Sequence, residues 1–365
     1  MNEAEAGTAR APPTGAGHGL ADTFRRLIGA TGPISVAQFM GEANARYYTA
    51  SDPLGAAGDF ITAPEISQMF GELIGVWLAD MWIRAGRPER PLYVELGPGR
   101  GTLARDALRA MARYGLAPEV HLVETSTELK RIQLEAVPRA RFHHDLAAVP
   151  LSGPILLVAN EFFDALPVRQ LVKMADGWRE RMIATDATGG FVFVSGRQPM
   201  DAAVPEARRG AAEGTVIETC PGAAAIMFEL AGRLADQGGA ALAIDYGHGE
   251  PRDGSTLQAV ARHRKVDPFA DPGMADLTAH VDFAALAQIA RSRGARWLGT
   301  VTQRRWLQAL GIDARAEALA GFAPQHRAAL FAARDRLTAP GQMGELFKVM
   351  GVVAPGWPDG VGFGA

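Results

Sequence analysis

Apolar residues recur at helical spacing from the start of the ordered-looking text: Phe24, Leu27 and Ile28 share one face, and Gly32-Pro33 closes the run. The pattern predicts a short second helix around Val36, Phe39 and Met40, then a Gly-, Pro- and Asp-rich loop over 48–60. The strongest helix follows. Ile66, Met69, Phe70, Leu73, Ile74, Trp77, Leu78 and Met81 form one broad apolar stripe, with Gln68, Glu72 and Asp80 on the other side. Thr62 is a candidate cap for it, Glu65 would close a capping box, and Pro64 is tolerated in the first turn.

From Leu92 the period changes. Leu92–Leu96 reads as a buried strand, 97–101 as a glycine loop, and Thr102 to about Arg113 as a helix. A second strand at Val120–Glu124, a helix at Thr127–Ala136, and strands at Arg141–His143 and Pro154–Ala159 continue the alternation. After a helix holding Ile226, Met227, Leu230 and Leu234, Ala240–Asp245 repeats the buried-strand signature, and Leu346–Val353 is a further strand. This alternation predicts an α/β fold, a doubly wound parallel sheet with helices on both faces. Between the fourth strand and Ala240 it lapses. There Arg169–Met174, an Asp176-Gly177 turn and Trp178–Ile183 read as a β-hairpin insertion, to which Phe191–Val194 can add a third strand. The expected organisation is a disordered tail over 1–19, a helical N-terminal extension over 20–90, and an α/β domain over 91–355 with its insertion at about 165–238.

Composition narrows the function classes. The 365 residues are 48% hydrophobic and 21% charged, enough apolar content for a large core. Forty acidic against 37 basic side chains, a net charge of −3, remove the electrostatic case for nucleic acid as a partner. The one cysteine, Cys220, excludes an internal disulfide framework and a multi-cysteine zinc site. No apolar run approaches the roughly 20 residues of a membrane span. Residues 1–19 lack the apolar run of a secretion signal, and Glu3 and Glu5 argue against a mitochondrial presequence. The expectation is a cytoplasmic protein without membrane insertion. The oligomeric state stays open.

The chemistry concentrates in the α/β part. In a strand–loop–helix unit, Gly97, Gly99 and Gly101 let the backbone turn tightly and approach a ligand, and the helix start offers free N–H groups. The third glycine comes one residue earlier than in the G-x-G-x-x-G dinucleotide fingerprint. Preceded by Glu95 and including Pro98, this loop resembles motif I of class I S-adenosylmethionine-dependent methyltransferases. Glu124 ends the second strand, where an acid accepts ribose hydroxyls. Asp145, past the third strand, is a candidate acceptor for an adenine amino group, with Leu146 against the ring. The fourth strand runs into Asn160-Glu-Phe-Phe-Asp-Ala-Leu-Pro167, beside the expected crevice. Asn160 is a cofactor-side candidate. Glu161 and Asp164, set among Phe162, Phe163 and Leu166, form a carboxylate pair suited to a cation. His143-His144 with Asp145, and His280 with Asp282, lack the spacing of a metal site, and Asp282 reads instead as a helix cap.

The chain resembles the MidA family of class I methyltransferases from about Phe24 to Pro355. The markers are Gly58-Asp-Phe-Ile-Thr-Ala-Pro-Glu-Ile-Ser67, Glu95–Thr102, Asn160–Pro167, Asp245-Tyr-Gly247, Gly254-Ser-Thr-Leu257, Asp276–Phe283 and Met343–Lys348. One departure is Val260, where the family more often carries an aromatic residue. The resemblance implies a Rossmann-like fold, S-adenosylmethionine as cofactor, and transfer of methyl groups to an arginine of a protein, a respiratory complex I core subunit. A guanidinium is planar, permanently charged and bidentate toward carboxylates, which fits Glu161 first and Asp164 second as orienting acids. Asp59 and Glu65 are candidates to complete the wall over that site. Two other readings stay open: an NAD(P)-dependent oxidoreductase, against which the glycine spacing speaks, and an S-adenosylmethionine-binding assembly chaperone with little turnover.

Overall fold

Leu92–Leu96 (β1) is buried along its whole length, with Tyr93 facing one hydrophobic layer and Leu92, Val94 and Leu96 the other. A strand apolar on both faces belongs in the middle of a layered sheet, and β1 lies there in the computed structural model, which describes residues 19–50, 62–261 and 264–364. The other strands are β2 (Glu119–Val123), β3 (Arg141–His143), β4 (Ile155–Asn160), β5 (Gly239–His248), β6 (Arg296–Thr302) and β7 (Phe347–Val353), with the two-residue strand Val281–Asp282 paired to the end of β5. Their spatial order is β6-β7-β5-β4-β1-β2-β3. Pairings β1–β2, β2–β3, β1–β4 and β4–β5 are parallel. The order reverses between β1 and β4, and a crevice opens there at the strand C-termini.

The wholly parallel sheet expected from sequence is corrected at one edge. β7 runs antiparallel to both β5 and β6. Four α-helices, Gln303–Ala309, Ile312–Phe322, Arg327–Thr338 and the short Met343–Leu346, intervene after β6 and bring the chain back in the opposite sense. β6 itself carries no buried residue and no clean alternation, which is why the apolar pattern did not reveal it.

Helices cover both faces. Gln68–Arg84 and Thr102–Ala112 build one core layer with Trp306 and Leu307, while Pro221–Gln237 and Phe283–Ser292 build the other. The first pair packs backbone to backbone: a Cβ at Gly75 would lie 2.3 Å from the carbonyl oxygen of Ala107. The expected cap of the long helix is corrected. Thr62 makes no side-chain cap; it precedes a separate short helix, Ala63–Ile66, and Ser67 then caps Gln68–Arg84 by accepting from Met69 N–H. No helix among the described residues is long and apolar enough to cross a membrane.

The N-terminal part is less separate than the sequence suggests. The second helix extends from Val36 to Ala50, so residues 48–50 of the expected loop are helical, and 51–61 lie outside the described residues, as do residues 1–18 of the expected tail. Ile34–Ser35 pairs with Ile183 and Met182 and joins the insertion. That insertion is therefore not a bare hairpin but a five-stranded sheet, with Arg169–Met174, Gly177–Thr185, Phe191–Pro199 and Val216–Thr219. Met174 pairs with Gly177, so Ala175 and Asp176 make the turn. A third small sheet, Gln258–Ala261 between Arg264–Val266 and Asp276–Thr278, stands above the C-terminal ends of the main one.

Candidate functional site

β1 ends at Leu96 and the chain enters three left-handed glycines, Gly97, Gly99 and Gly101, with φ of +59°, +54° and +79°. Side chains avoid that region, so the sequence G-P-G-R-G is what permits the loop. Gly97 N–H bonds Val123 O at 3.1 Å and Gly101 N–H bonds Pro98 O at 2.8 Å. A Cβ on Gly97 would lie 2.9 Å from the Phe162 ring. The helix starting at Thr102 has no side-chain cap, which leaves its first N–H groups facing the loop.

Gln133, from the helix Thr127–Ala136, ties this loop to the end of β2. Its Nε2 donates to Gly99 O at 2.7 Å and to Glu124 Oε2 at 3.1 Å. Glu124 Oε1 accepts from the N–H groups of Thr125 and Ser126, both at 2.8 Å. One oxygen is thus filled, and Oε2 keeps one open lone pair. Glu95 lies below the loop, buried, and accepts from the Tyr93 hydroxyl at 2.5 Å. Burial pushes its carboxyl up to about 8, partly opposed by that bond. Leu146 is core-packed, and Asp145 is exposed with Oδ1 accepting from Ala148 N–H.

Beyond the crevice, β4 ends at Asn160 and Glu161 turns the chain in a left-handed conformation, φ +50°. A non-glycine residue there costs about 1–3 kcal/mol and needs outside support. Asp245, the last fully buried residue of β5, supplies it: Oδ2 accepts from the N–H groups of Phe162, Phe163 and Asp164 at 3.2, 3.0 and 3.2 Å. Its Oδ1 accepts from Tyr246 N–H. Burial first, then Asp164 and Glu161, push the Asp245 carboxyl up, against those N–H groups. Glu161 Oε1 accepts from Ala63 N–H at 3.0 Å and from Asn160 Nδ2 at 3.2 Å. Asn160 Oδ1 is buried without a partner among the described residues.

Glu161 and Asp164 open into a cavity of about 280 Å³. Asp276, Tyr48, Tyr246 and His280 complete much of its wall, with Lys265, Val260 and Leu346 toward the rim. The helix Val36–Ala50 brings Tyr48 there. Asn44, one turn earlier on the same face, clamps both backbone groups of Leu277: Oδ1 accepts its N–H at 3.0 Å and Nδ2 donates to its carbonyl at 2.8 Å. Tyr48 then donates to Asp276 Oδ1 at 2.9 Å. Burial raises the Glu161 carboxyl to about 7, and Asp164 adds to it. Burial likewise raises Asp164 to about 6, against a hydrogen bond from the Tyr246 hydroxyl. His280 is held neutral, lowered to about 4 by burial and by Arg252, His248, Lys265 and Lys348.

Two groups of sequence-predicted residues are brought together: the glycine loop with Glu124, and Glu161 with Asp164. Glu65 departs from its expected place. Its Oε1 accepts from the Thr102 hydroxyl, at the start of the glycine-loop helix, and it does not line the acid cavity. Asp59 lies outside the described residues. Sequence reasoning missed Gln133, Tyr48, Asp276 and the supporting role of Asp245. Asp245 and Asp276 stood within family markers, and an acid ending a buried strand was the available signal for Asp245.

A family model described as S-adenosyl-L-methionine-dependent methyltransferase matches residues 73–301. The protein arginine methyltransferase NDUFAF7, mitochondrial, of Mus musculus is 40% identical, over 88% of this chain and 81% of its own length. Its Danio rerio counterpart is 38% identical, over 89% and 84%. A Burkholderia thailandensis crystal structure, described as a methyl transferase bound to S-adenosyl-homocysteine, superposes with a TM-score of 0.80 at 32% identity, covering 92% of this chain and 91% of that one. The cytoplasmic expectation, which rested on Glu3, Glu5 and the missing signal run, is overturned: the Mus musculus and Danio rerio relatives are named as mitochondrial proteins.

Proposed function

The chain belongs to this family of S-adenosyl-L-methionine-dependent methyltransferases, and from that premise we propose that it methylates an arginine side chain of a protein. The observation that carries the reading is the convergence of Glu161, Asp164 and Asp276 with two tyrosines in one small cavity beside the end of β4. Such a cavity suits a planar cation with several N–H donors. The name of the Mus musculus relative supports the same acceptor.

The residues on the other side fit the methyl donor. Gly97, Gly99 and Gly101 hold the loop in a left-handed path that keeps it free of side chains, Glu124 Oε2 keeps an open lone pair, and Asn160 Oδ1 is a buried acceptor without a partner among the described residues. The glycine loop, Glu124 and Asn160 would hold S-adenosylmethionine, which when bound supplies an electrophilic sulfonium methyl. The remaining work falls to this chain's acids. Glu161 and Asp164 align a guanidinium nitrogen with the crevice, and proximity is the larger part of the rate gain. A guanidinium nitrogen that gains a methyl must release a proton. Glu161, raised to about 7, is a fitting acceptor at Oε2, because Oε1 is engaged by Ala63 and Asn160. Asp164, Asp276 and the tyrosine hydroxyls keep the remaining N–H groups paired as water leaves.

A respiratory complex I core subunit is the protein acceptor we propose, on the family resemblance. The experiment is transfer of labelled methyl to arginine-containing peptides and to that subunit, with mass-spectrometric identification of the modified residue. Methylarginine is expected; label on any other side chain would overturn the assignment.

A further inference from the structure

A second cavity, about 490 Å³ and larger than the acid cavity, lies between the insertion sheet and the first turns of helices Pro221–Gln237 and Phe283–Ser292. Its wall is mainly apolar, with Phe163, Val168, Ile217, Ala223, Leu286 and Ile289 among the lining residues. All of these except Ile289 are core residues no more than 5% exposed, so the shape is built into the fold. His280 lines both cavities, and the consecutive residues Phe163 and Asp164 face one each. The two cavities therefore share a wall at Phe163–Asp164 and His280. The dividing wall is braced from the insertion: Glu218 Oε2 accepts from Thr256 N–H at 3.0 Å and from its hydroxyl, and Thr256 Oγ1 accepts from His280 N–H at 2.8 Å.

We propose that this second cavity binds an apolar side chain of the same polypeptide segment whose arginine enters the acid cavity. The inference rests on the arginine reading and adds a determinant of which protein sequences are accepted. Continuity through His280 selects this occupant. An extended chain advances about 3.3–3.6 Å per residue, so a leucine, isoleucine or phenylalanine within about four positions of the arginine can reach across. The volume takes one or two such side chains and matches the size of preformed apolar pockets in general. The five-stranded insertion then has a role: it supplies one wall of the subsite and, through Glu218, fixes the partition.

The test compares methyl transfer to a glycine-flanked arginine peptide with a set carrying one leucine at each position within four residues of the arginine. At one position or more, the leucine peptide is expected to show a kcat/KM higher by roughly ten- to a hundredfold, carried by KM, the value of burying one such side chain. Ala284→Trp and Ala224→Trp, which fill the cavity from its two helices, are each expected to bring that ratio close to one. Melting and cofactor-induced stabilisation are followed on the same preparations. Equal kcat/KM across the peptide set in the wild-type enzyme overturns the subsite while leaving the arginine reading intact, and that comparison needs no variant. Transfer to some other side chain but to no arginine peptide overturns the arginine reading and the subsite together.

Discussion

Asp245 Oδ2 accepts the backbone N–H of Asp164 at 3.2 Å, so a carboxylate within one strand sets the position of a carboxylate on the loop after its neighbour. With the N–H groups of Phe162 and Phe163 on the same oxygen, the whole turn after Glu161 hangs from Asp245. Division of labour among neighbouring acids follows from this. Asp245 is consumed in holding the backbone, while Glu161 and Asp164 keep oxygens directed into the cavity.

Asp245→Ala should therefore destabilise the protein by about 2–4 kcal/mol, because it strands several buried N–H donors and releases a strained turn. Denaturant unfolding measures this. Stability unchanged from wild type would mean the turn is held by its own loop contacts.

The raised carboxyls set a pH dependence with a definite sign. In the unfolded chain Glu161 and Asp164 titrate near 4.5 and 3.8; in the folded protein burial raises them to about 7 and about 6. The folded state then binds more protons in that window, so these groups' contribution falls as pH rises from about 4 to about 7. Glu161→Gln should flatten the fall, as seen in melts across pH 4–8. Transfer activity should move the other way and increase as Glu161 loses its proton. Parallel pH profiles of stability in wild type and Glu161→Gln would remove the buried titration from Glu161.

On the cofactor side, Gln133→Leu removes the bridge between Gly99 O and Glu124 while nearly preserving volume. Affinity for S-adenosylmethionine and its demethylated product should fall by roughly ten- to a hundredfold, about 1–3 kcal/mol for loss of buried hydrogen bonds including one to a carboxylate. Gly99→Val should be worse, since a β-branched residue is strained at φ +54°. Calorimetric affinity equal to wild type in folded Gln133→Leu would show that the loop is preorganised without it.

Much of this site was legible because its parts are local in sequence. The glycine loop, Glu124, and Glu161 with Asp164 each lie at a strand end, and a buried apolar run marks the strand. What escaped is long-range. Tyr48 meets Asp276 across 228 positions, and the clamp that aims it, Asn44 on Leu277, spans 233. No local pattern encodes such pairings. β6 escaped because an edge strand with exposed Arg296 and Trp297 has no buried face to betray it. The Thr62 cap failed for a different reason: Thr62 and Ser67 are both adequate caps, and the extended backbone at Ser67 split the run into two helices.

Tyr48→Phe isolates the acceptor side. It removes the hydroxyl bonded to Asp276 and one polar group of the cavity wall, without touching the glycine loop. KM for an arginine peptide should rise several-fold with cofactor affinity unchanged. A loss of cofactor affinity equal to the loss of transfer would place Tyr48 outside acceptor binding.

The most direct test of the account is labelled-methyl transfer to an arginine acceptor by Glu161→Gln, with a cofactor titration and a thermal melt on the same preparation. Glutamine keeps the acceptor for Ala63 N–H but removes the charge and the proton-accepting capacity. The expected result is near wild-type folding and cofactor affinity, with transfer reduced by roughly two to four powers of ten. Full transfer by a folded, cofactor-binding Glu161→Gln enzyme would contradict the account.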